Sequence, residues 1–453
     1  MNSFSVILIF LFLCSEIEAV EDSLVFVHAL VRHGDRTPEK SSLYPASKYN
    51  NESFFMPYGF GQLTNKGKLT AFKVGQELRK RYKGFLDETY NIKLIDARSS
   101  DFNRTKASLQ AILAGLFPPT KELVWLEGMN WQPIATTYLE RKSDKELFCF
   151  GCPSWKPNAH DFEQSEKGRN ALIKDYKSIS KFLTNKTGKT YSKLRDICSL
   201  YRGFQILESF NQPLPEWSKS IYPDKMKDII AINYYYLVAT PILRQMSAGF
   251  LLKKILDDTD DKINGRLPMK KMSILCGHEF NIASLLRVLD ICEDYKSVPP
   301  YGSYILFELH RIDNGFGFKI FYQNYKTSEP KLMKLPKCEE FCSLKKFNGI
   351  LKEDIPINDE VCTPKMPSKY ERKCPNRGKW TEEALEAAMQ SITEGMDVNE
   401  AARVFEIPPR TLKRRFASGN SRKGHACIMH EGCTKYQNTC KMCVKLTIKK
   451  KKV

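Results

Sequence analysis

The sequence predicts an α/β protein: a doubly wound sheet with helices on both faces, an inserted helical cap domain and a small all-α unit at the carboxyl terminus. Three apolar, strand-like runs each end in polar residues and pass into a helical pattern, which is typical of such a sheet. The region from about 150 to 256 is rich in helical patterns and lacks these strand ends, so we expect it to be the cap. A chain of 453 residues is long enough for two or three domains.

The first run, Leu24 to Val31, leads directly into the heptad Arg32-His33-Gly34-Asp35-Arg36-Thr37-Pro38. Arginines stay charged and present planar donor forks that match phosphate oxygens, so this histidine lies where an oxyanion would dock. A neutral imidazole nitrogen at that position could attack phosphorus. The alternative is a satisfied polar cluster at a strand end, which is the commoner role of an isolated Arg-His pair.

The other two runs predict partners for this histidine. Ile92 to Ala97 ends at Arg98-Ser99-Ser100-Asp101, before an amphipathic stretch that stops at Pro118-Pro119. Met272 to Cys276 ends at Gly277-His278-Glu279, before another helical run. Ligands of open α/β sheets bind outside the carboxyl ends of strands, so we expect all three ends to meet at one pocket.

The heptad resembles the signature of the histidine acid phosphatases, a family that includes the prostatic, lysosomal and insect venom acid phosphatases. Gly59 to Gly67 also resembles the Gly-Gln-Leu-Thr segment of that family. The resemblance implies a secreted acid phosphatase that hydrolyses small phosphate monoesters, without a cofactor or catalytic metal. The cap, inserted at about 150–256 in a phosphatase domain of residues 20–365, would cover the pocket and shape substrate choice.

The resemblance also implies a role for each site residue. His33 would form the phosphohistidine intermediate, and Glu279 would be the proton donor. The phosphate would be bound by Arg32, Arg36, Arg98 and His278. Glu279 stands where the commoner family sequence has Asp, although Gly-His-Glu resembles the insect venom branch; the longer side chain leaves the leaving-group preference open.

The start of the chain predicts export. Val6 to Cys14 is an apolar segment and Ala19 is a plausible cleavage point, so we expect residues 1–19 to be a signal peptide and the protein to be secreted or lysosomal. No later stretch predicts a transmembrane helix, and we keep a homodimer open as an assembly. The sequons at Asn51 and Asn185 predict glycosylation, whereas we expect the sequon at Asn103, beside the pocket, to be unused.

The cysteines before residue 365 predict disulfides in an exported chain. Their connectivity does not follow from spacing. The resemblance to the animal family implies three pairs: Cys149 with Cys362, Cys198 with Cys292, and Cys338 with Cys342. It leaves Cys152 and Cys276 as free buried thiols or as an extra pair.

A different composition begins at residue 366. The last 88 residues carry +10 of the net charge of +19. Thr381 followed by acidic residues predicts a helix start, and three apolar stripes follow up to Phe416. Residues 366–423 resemble the pipsqueak-type helix-turn-helix of insect regulators and transposon-derived proteins, which implies DNA contacts by the following residues: Arg410, Thr411, Lys413, Arg414 and Arg415. The alternative is a basic appendage without a specific ligand.

The tail at 424–453 combines His and Cys residues with a final lysine run. Cys440 and Cys443 have zinc-knuckle spacing, so a structural zinc is one interpretation, and free or oxidised thiols are the other.

Export and DNA binding conflict, because the secretory lumen holds no chromosomal DNA. Our first hypothesis is a secreted phosphatase whose basic end is a recent or artefactual fusion. The alternative is a transposon-derived DNA-binding protein fused to a phosphatase body, which would be nuclear only if the carboxyl-terminal segment is expressed separately.

Overall fold

The computed structural model describes residues 23–172, 175–313, 315–363 and 380–418. It divides into two compact units, Met1–Lys365 and Met366–Val453. The predicted signal peptide at 1–19 and the tail at 424–453, with its proposed zinc ligands, lie outside the described residues.

The first unit is built on a mixed sheet. Its strands, within the described residues, are β1 (Leu24–Arg32), β2 (Ile95–Ser99), β3 (Thr137–Tyr138), β4 (Met272–Gly277), β5 (Tyr304–Ile312), β6 (Gly315–Gln323), β7 (Lys331–Met333) and β8 (Cys342–Ser343). The order is β3-β2-β4-β1-β5-β6-β7, and β8 pairs with β6. Strands β3, β2, β4 and β1 are parallel, whereas β5 to β8 run antiparallel to their neighbours. The predicted α/β class is confirmed.

Helices cover both faces of this sheet because its strands are apolar on both sides. Val27, Ala29 and Val31 of β1 pack with α1 (Asn65–Arg81) and α2 (Asn103–Leu116). Phe26 and Leu30, which alternate with them, pack into a second core. That core includes α9 (Phe250–Ile263), which is the last helix before β4, and two helices that follow β4: α10 (Glu279–Val288) and α11 (Leu344–Leu351).

The insertion between β3 and β4 is helical. Its elements are α3 (Trp155–Gln164), α4 (Glu166–Ala171), α5 (Tyr176–Thr187), α6 (Leu194–Ser209), α7 (Asp224–Tyr236) and α8 (Pro241–Arg244). A π-helical turn, Gln245–Gly249, joins α8 to α9. The cap is packed on the body, since the buried faces of α6 and α7 belong to the same apolar core as β1 and α10.

The disulfides differ from the prediction. Cys152, not Cys149, pairs with Cys362, and Cys149 is a buried free thiol. Cys149 begins the turn Cys149–Gly151, where its thiol bonds to Ser247, whereas the Cys152 Cα lies 5.0 Å from that of Cys362. The prediction of Cys149–Cys362 is therefore wrong.

The other two predicted cysteine pairs differ in outcome. Cys338 and Cys342 form the predicted bond. Cys198 and Cys292 do not pair: both are free, Cys198 within α6 near Arg202 and Cys292 after α10 near Arg287. This pair of the prediction is therefore wrong, because both thiols are free and have different arginine neighbours.

The second unit is a small three-helix cluster: α12 (Glu382–Thr393), α13 (Val398–Val404) and α14 (Pro409–Ser418). Thr381 caps α12 by accepting from the Ala384 N–H, as its position before acidic residues predicted. The buried side chains are Leu385, Ala388, Ala401, Ala402, Ile407 and Leu412. Within the described parts of both units, no helix has the length and apolar composition needed to cross a bilayer.

Candidate functional site

The ends of β1, β2 and β4 lie side by side, as the sequence predicted. Arg32 is in register with Gly277, and Ser99 with Cys276. Past the last pairs, the His33 N–H donates to the Gly277 carbonyl at 3.0 Å. The first residues after these strands therefore share one edge of the sheet.

His33 is buried, with 1% of its surface exposed, and its hydrogen bonds define its tautomer. Nδ1 lies 2.8 Å from the Gly34 carbonyl, which can only accept, so Nδ1 carries the proton and Nε2 carries the lone pair. Burial and neighbouring positive charges, first that of Arg104 and then that of Arg32, lower the pKa of His33 well below its ordinary value. The ring is a neutral imidazole with an unprotonated Nε2.

Gly34 lets the heptad pack against the next helix. A Cβ at Gly34 would lie 2.1 Å from the Gly67 carbonyl oxygen, and one at Gly67 would lie 2.0 Å from the Asp35 carbonyl oxygen. Thr64 caps α1 by accepting from the Gly67 N–H, and its own N–H donates to Asp35. The Gly-Gln-Leu-Thr segment thus holds the loop that carries His33.

Three buried guanidinium groups surround His33. Arg32 stacks on the Tyr301 ring at 3.9 Å and donates to the Pro299 carbonyl, and Arg36 donates to the Thr37 carbonyl at 2.9 Å. The Nε atoms of Arg32 and Arg36 are buried without a hydrogen-bond partner among the described residues. Buried donors are almost always paired, and Nε of Arg98 is unpaired as well within the described chain, although Arg98 forms ion pairs with two carboxylates. The unpaired donors of Arg32 and Arg36 lie near His33, where they indicate a place for an anion.

The third guanidinium belongs to Arg104, which the sequence reasoning missed. Arg104 lies in the first turn of α2, is 9% exposed, and its Nε donates to Nε2 of His33 at 3.3 Å. A second contact joins its Nη2 to Glu39 Oε1 at 3.2 Å. Its sequence signal was an arginine at the start of the helix that follows β2.

Arg98, the predicted phosphate ligand, has other partners. In the sheet it is in register with Leu275 of β4, whereas Arg32 is in register with Gly277, two residues further along that strand. Arg98 therefore lies within the sheet, before the edge that carries the site. Its Nη1 is 3.9 Å from Asp144 Oδ1, and its Nη2 donates to Glu146 Oε2. The structure corrects the prediction: Arg104, not Arg98, lies beside His33, and Arg98 joins β2 to the loop before the cap.

His278 is held by a chain of hydroxyl groups. Its Nε2 is 2.9 Å from Ser100 Oγ, and the Ser100 hydroxyl donates to Thr105 Oγ1 at 3.0 Å. The ring stacks on Phe280 and lies 5.5 Å from the His33 ring, centroid to centroid. Burial and the charge of Arg104 lower the pKa of His278 well below its ordinary value, although the neighbouring carboxylate opposes the shift.

Glu279 lies between two arginines. Its Oε2 is 4.0 Å from Arg32 Nη2, and its Oε1 is 3.4 Å from Nη1 of Arg202, a residue of cap helix α6 that the sequence reasoning also missed. Burial alone would raise the pKa of Glu279. The charges of Arg202 and Arg32 outweigh burial and hold this pKa well below its ordinary value, so the carboxyl is ionised in the free protein.

Ligand atoms of His33, His278 and Glu279 all lie within 4.8 Å of one another. Such a set could coordinate a metal ion by distance alone. The surrounding charges argue against it, because four guanidinium groups crowd the same space: Arg32, Arg36, Arg104 and Arg202. This positive potential favours an oxyanion over a cation.

A cavity of about 940 Å³ lies between body and cap, and its lining includes Arg36, Arg104, Arg202, His278 and Glu279 of this cluster. Its body side carries Glu39, Arg104 and Glu279. Several aromatic rings line it, from both sides: Phe102, Phe148, Phe150, Trp155, Tyr234, Tyr236 and Phe280. The cap adds charged side chains: Lys156, Glu163, Lys193, Arg195, Asp196 and Arg202.

The predicted sequons lie on the surface. Asn51 is exposed and caps a short turn, and Asn185 is exposed on α5. Asn103 begins α2, directly before Arg104, so a glycan there would stand beside the site.

In the second unit, α14 carries the predicted DNA-contacting residues. Arg410, Lys413 and Arg414 are exposed, whereas Thr411 and Arg415 are partly buried. Leu412 points into the core of the unit, so the exposed cations share the outer side of the helix.

Comparison with known proteins gives two family matches. The histidine phosphatase superfamily (branch 2) matches residues 23–323, and the Psq-domain helix-turn-helix matches residues 381–423. Venom acid phosphatase Acph-1 of Apis mellifera is 36% identical over 349 residues, 76% of this chain and 89% of that protein. The lysosomal acid phosphatase of Rattus norvegicus is 31% identical over 341 residues, 74% of this chain and 78% of that protein.

Solved structures agree in fold. The phytase of Hafnia alvei in complex with tartrate superposes with a TM-score of 0.55 at 15% identity, over 75% of this chain and 98% of that chain. The phytase of Klebsiella sp. ASR1 gives 0.54 at 18% identity, over 76% and 98%.

Proposed function

The chain belongs to the histidine phosphatase superfamily (branch 2), and we propose that its first unit is an acid phosphatase that hydrolyses small phosphate monoesters through a phosphohistidine on His33. One observation carries this proposal. The lone pair of His33 Nε2 faces buried guanidinium groups, two of which hold donors that lack a partner among the described residues.

In the first half-reaction, His33 Nε2 forms a bond to phosphorus while the ester P–O bond breaks in line with it. Arg32, Arg36 and Arg104 stabilise the charge on the three remaining phosphate oxygens. Glu279 gives its proton to the departing alkoxide, which leaves as the alcohol. The Nδ1 proton stays on its bond to the Gly34 carbonyl, so the ring keeps its orientation.

In the second half-reaction, the Glu279 carboxylate takes a proton from water as the water oxygen attacks phosphorus. The N–P bond breaks, and inorganic phosphate and free His33 result. Two in-line displacements give retention of configuration at phosphorus.

Glu279 must be protonated to act as the acid, yet it is ionised in the free protein. Bound phosphate offsets the charges of Arg32 and Arg36, which favours the protonated carboxyl, and low pH supplies the proton. An acidic pH range of activity follows.

The test measures hydrolysis of para-nitrophenyl phosphate together with trapping of the intermediate. Wild type should release phosphate and carry acid-labile, alkali-stable phosphate after rapid quenching, and His33→Ala should lose both. His310→Gln alters a histidine that lies beside Leu24, at the opposite end of β1, and should retain both. A labelled intermediate in His33→Ala would refute the assignment.

Export of this unit, to the secretory path or the lysosome, is part of the same proposal. The venom and lysosomal relatives support it, as do the two disulfides. A glycosidase-induced mass shift that maps to Asn51 or Asn185 in protein from the culture medium would test export and both sequons.

A homodimer is supported by an exposed apolar segment. Val124, Trp125, Leu126, Met129 and Trp131 are all more than a third exposed, and they precede β3, an edge strand of the sheet. A second copy covering this segment would bury it. Sedimentation equilibrium should then give twice the chain mass, and Trp125→Ser should shift the mass toward one chain.

DNA binding is the second function we propose, for residues 381–423 alone. The exposed cations of α14 support it. Binding of a DNA duplex by the full chain should weaken as the salt concentration rises. Replacing Arg410, Lys413 and Arg414 by Gln should make the dependence of log K on log salt less steep, by the equivalent of about three phosphate contacts. Arg403→Gln, on α13, is the matched control. A full-length transcript across Cys362 to Lys373 would establish a single protein, whereas separate transcripts would identify a fusion artefact.

A further inference from the structure

Arg202 is the only residue of cap helix α6 that forms an ion pair with Glu279 within the described chain. It is carried by a helix whose other face belongs to the apolar core. Its guanidinium therefore reaches Glu279 Oε1 from the cap, whereas the guanidinium of Arg32 approaches Oε2 from the end of β1. The carboxyl of Glu279 is clamped between an arginine of the body and an arginine of the cap.

We infer that Arg202 is a positioning residue that holds the Glu279 carboxyl from the cap side and sets the pH range in which that carboxyl donates its proton. This inference rests on the proposed function. It assigns to the cap a part in the chemistry, beyond covering the pocket.

The length of the Glu279 side chain makes the contact. Arg202 Nη1 is 3.4 Å from Glu279 Oε1, and an aspartate would draw the carboxyl back by about 1.5 Å, one carbon–carbon bond. The ion pair would then open to roughly 5 Å, beyond direct contact. Glutamate at this position and arginine at 202 thus act as a pair.

Other groups also face Glu279, and they define what Arg202 adds. They come from every element packed around the carboxyl: Arg32 of β1, Arg36 of the heptad loop, Arg104 of α2, His278, Tyr234 of α7 and Cys198 of α6. In the proposed complex, phosphate contacts Arg32, Arg36 and Arg104, and its negative charge offsets part of theirs. Arg202 holds no phosphate in this scheme, and its charge continues to act on the carboxyl.

The sign of the effect follows. A positive charge at 3 to 4 Å favours the ionised carboxyl, so Arg202 keeps the donor protonated only at low pH. Without it, Glu279 would retain its proton at higher pH. The alkaline limit of kcat should move up by about one pH unit, because an opposite charge at this distance shifts a carboxyl by about that amount or more.

The experiment measures kcat against pH for glycerol 2-phosphate, whose alkoxide leaving group needs the acid. Arg202→Gln should raise the alkaline limit by about one unit. Arg202→Lys, which retains the charge, should restore most of the wild-type limit. Arg169→Gln, at an exposed cap arginine away from the cavity, is the matched control and should not change the limit.

Glu279→Asp provides a second arm, which measures the coupling between the two residues. The shorter side chain weakens the ion pair without removing it, so Arg202→Gln should move the alkaline limit less in the Glu279→Asp variant than in the wild-type chain. An unmoved or lowered limit in Arg202→Gln would overturn the inference, as would a shift from Arg202→Gln that is equally large in the wild-type chain and in the Glu279→Asp variant. Loss of wild-type turnover would refute the proposed phosphatase instead.

Discussion

Arg98 and Arg104 lie six positions apart, and we expect one to contribute to stability and the other to catalysis. A pair of glutamine variants should separate the two contributions. Arg104 touches His33 and faces the cavity, whereas Arg98 is bound by two carboxylates behind the sheet edge. Arg104→Gln should therefore impair catalysis, and Arg98→Gln should impair stability.

The magnitudes follow from these contacts. Removing one preorganised donor from a charge-stabilising site costs about 10² to 10³ in turnover. Arg104→Gln should lower kcat/KM by about that factor, with little change in the free energy of unfolding, since its other partner, Glu39, is 40% exposed. Arg98→Gln removes the charge that faces the fully buried side chain of Asp144, which would keep only its backbone hydrogen bonds, so it should cost about 3 kcal/mol of stability.

The assay combines steady-state kinetics on para-nitrophenyl phosphate with urea unfolding followed by circular dichroism. Arg98→Gln should retain kcat/KM within about tenfold of wild type at a temperature where it remains folded, because it lies outside the phosphate site. The reverse result, a hundredfold loss in Arg98→Gln at full stability beside an active Arg104→Gln, would return Arg98 to the phosphate site and refute the reasoning.

Three further predictions concern the scaffold. Non-reducing peptide mapping should find Cys152 linked to Cys362, and Cys149→Ser should keep that link while Cys152→Ser loses it; a Cys149–Cys362 peptide in wild type would contradict the structure. Gly34→Ala should abolish activity and lower the thermal midpoint, because its Cβ would meet the Gly67 carbonyl, whereas Gly349→Ala, in open space on α11, should change stability by less than about 1 kcal/mol. Burial lowers the pKa of His28 from 6.5 to about 3. As the pH falls below 6.5, the unfolded chain therefore binds a proton at this residue while the folded chain does not. The free energy of unfolding decreases as a result, down to about pH 3. At pH 5 this decrease in the free energy of unfolding amounts to about 2 kcal/mol. Between pH 7.5 and 5, His28→Gln should therefore lose about 2 kcal/mol less unfolding free energy than wild type does. An equal loss in the two proteins would contradict the prediction.

The sequence predicted the parts of the site that lie at strand ends. His33, His278 and Glu279 each follow an apolar run, and parallel strands place such positions at one edge whatever separates them along the chain. Arg98 was expected at this edge, but it lies two residues, about 7 Å, before it along the strand. Apolar patterning does not fix the end of a strand that closely. Arg104 was missed because a helix start, not a strand end, carries it.

The cysteine pairing failed for a related reason. Cys149 and Cys152 are three residues apart, and only the orientation of a short turn decides which of them meets Cys362. Spacing along the chain contains no information about that orientation.

Arg202 illustrates a limit of a different kind. It lies 77 positions before Glu279, on a helix whose pattern predicts only a buried apolar face. The sequence shows that Glu279 replaces the commoner aspartate, but it does not show what the longer side chain contacts. The leaving-group preference therefore stayed open. Once α6 is placed, the added methylene spans the distance to Arg202, and the same residue supports the proposal that body and cap together hold the proton donor. The reason for a residue that departs from a family pattern, such as Glu279, lies in the side chain that it contacts. Here that side chain is Arg202 of the cap, a region whose sequence shows none of the strand-end motifs that identified the other site residues.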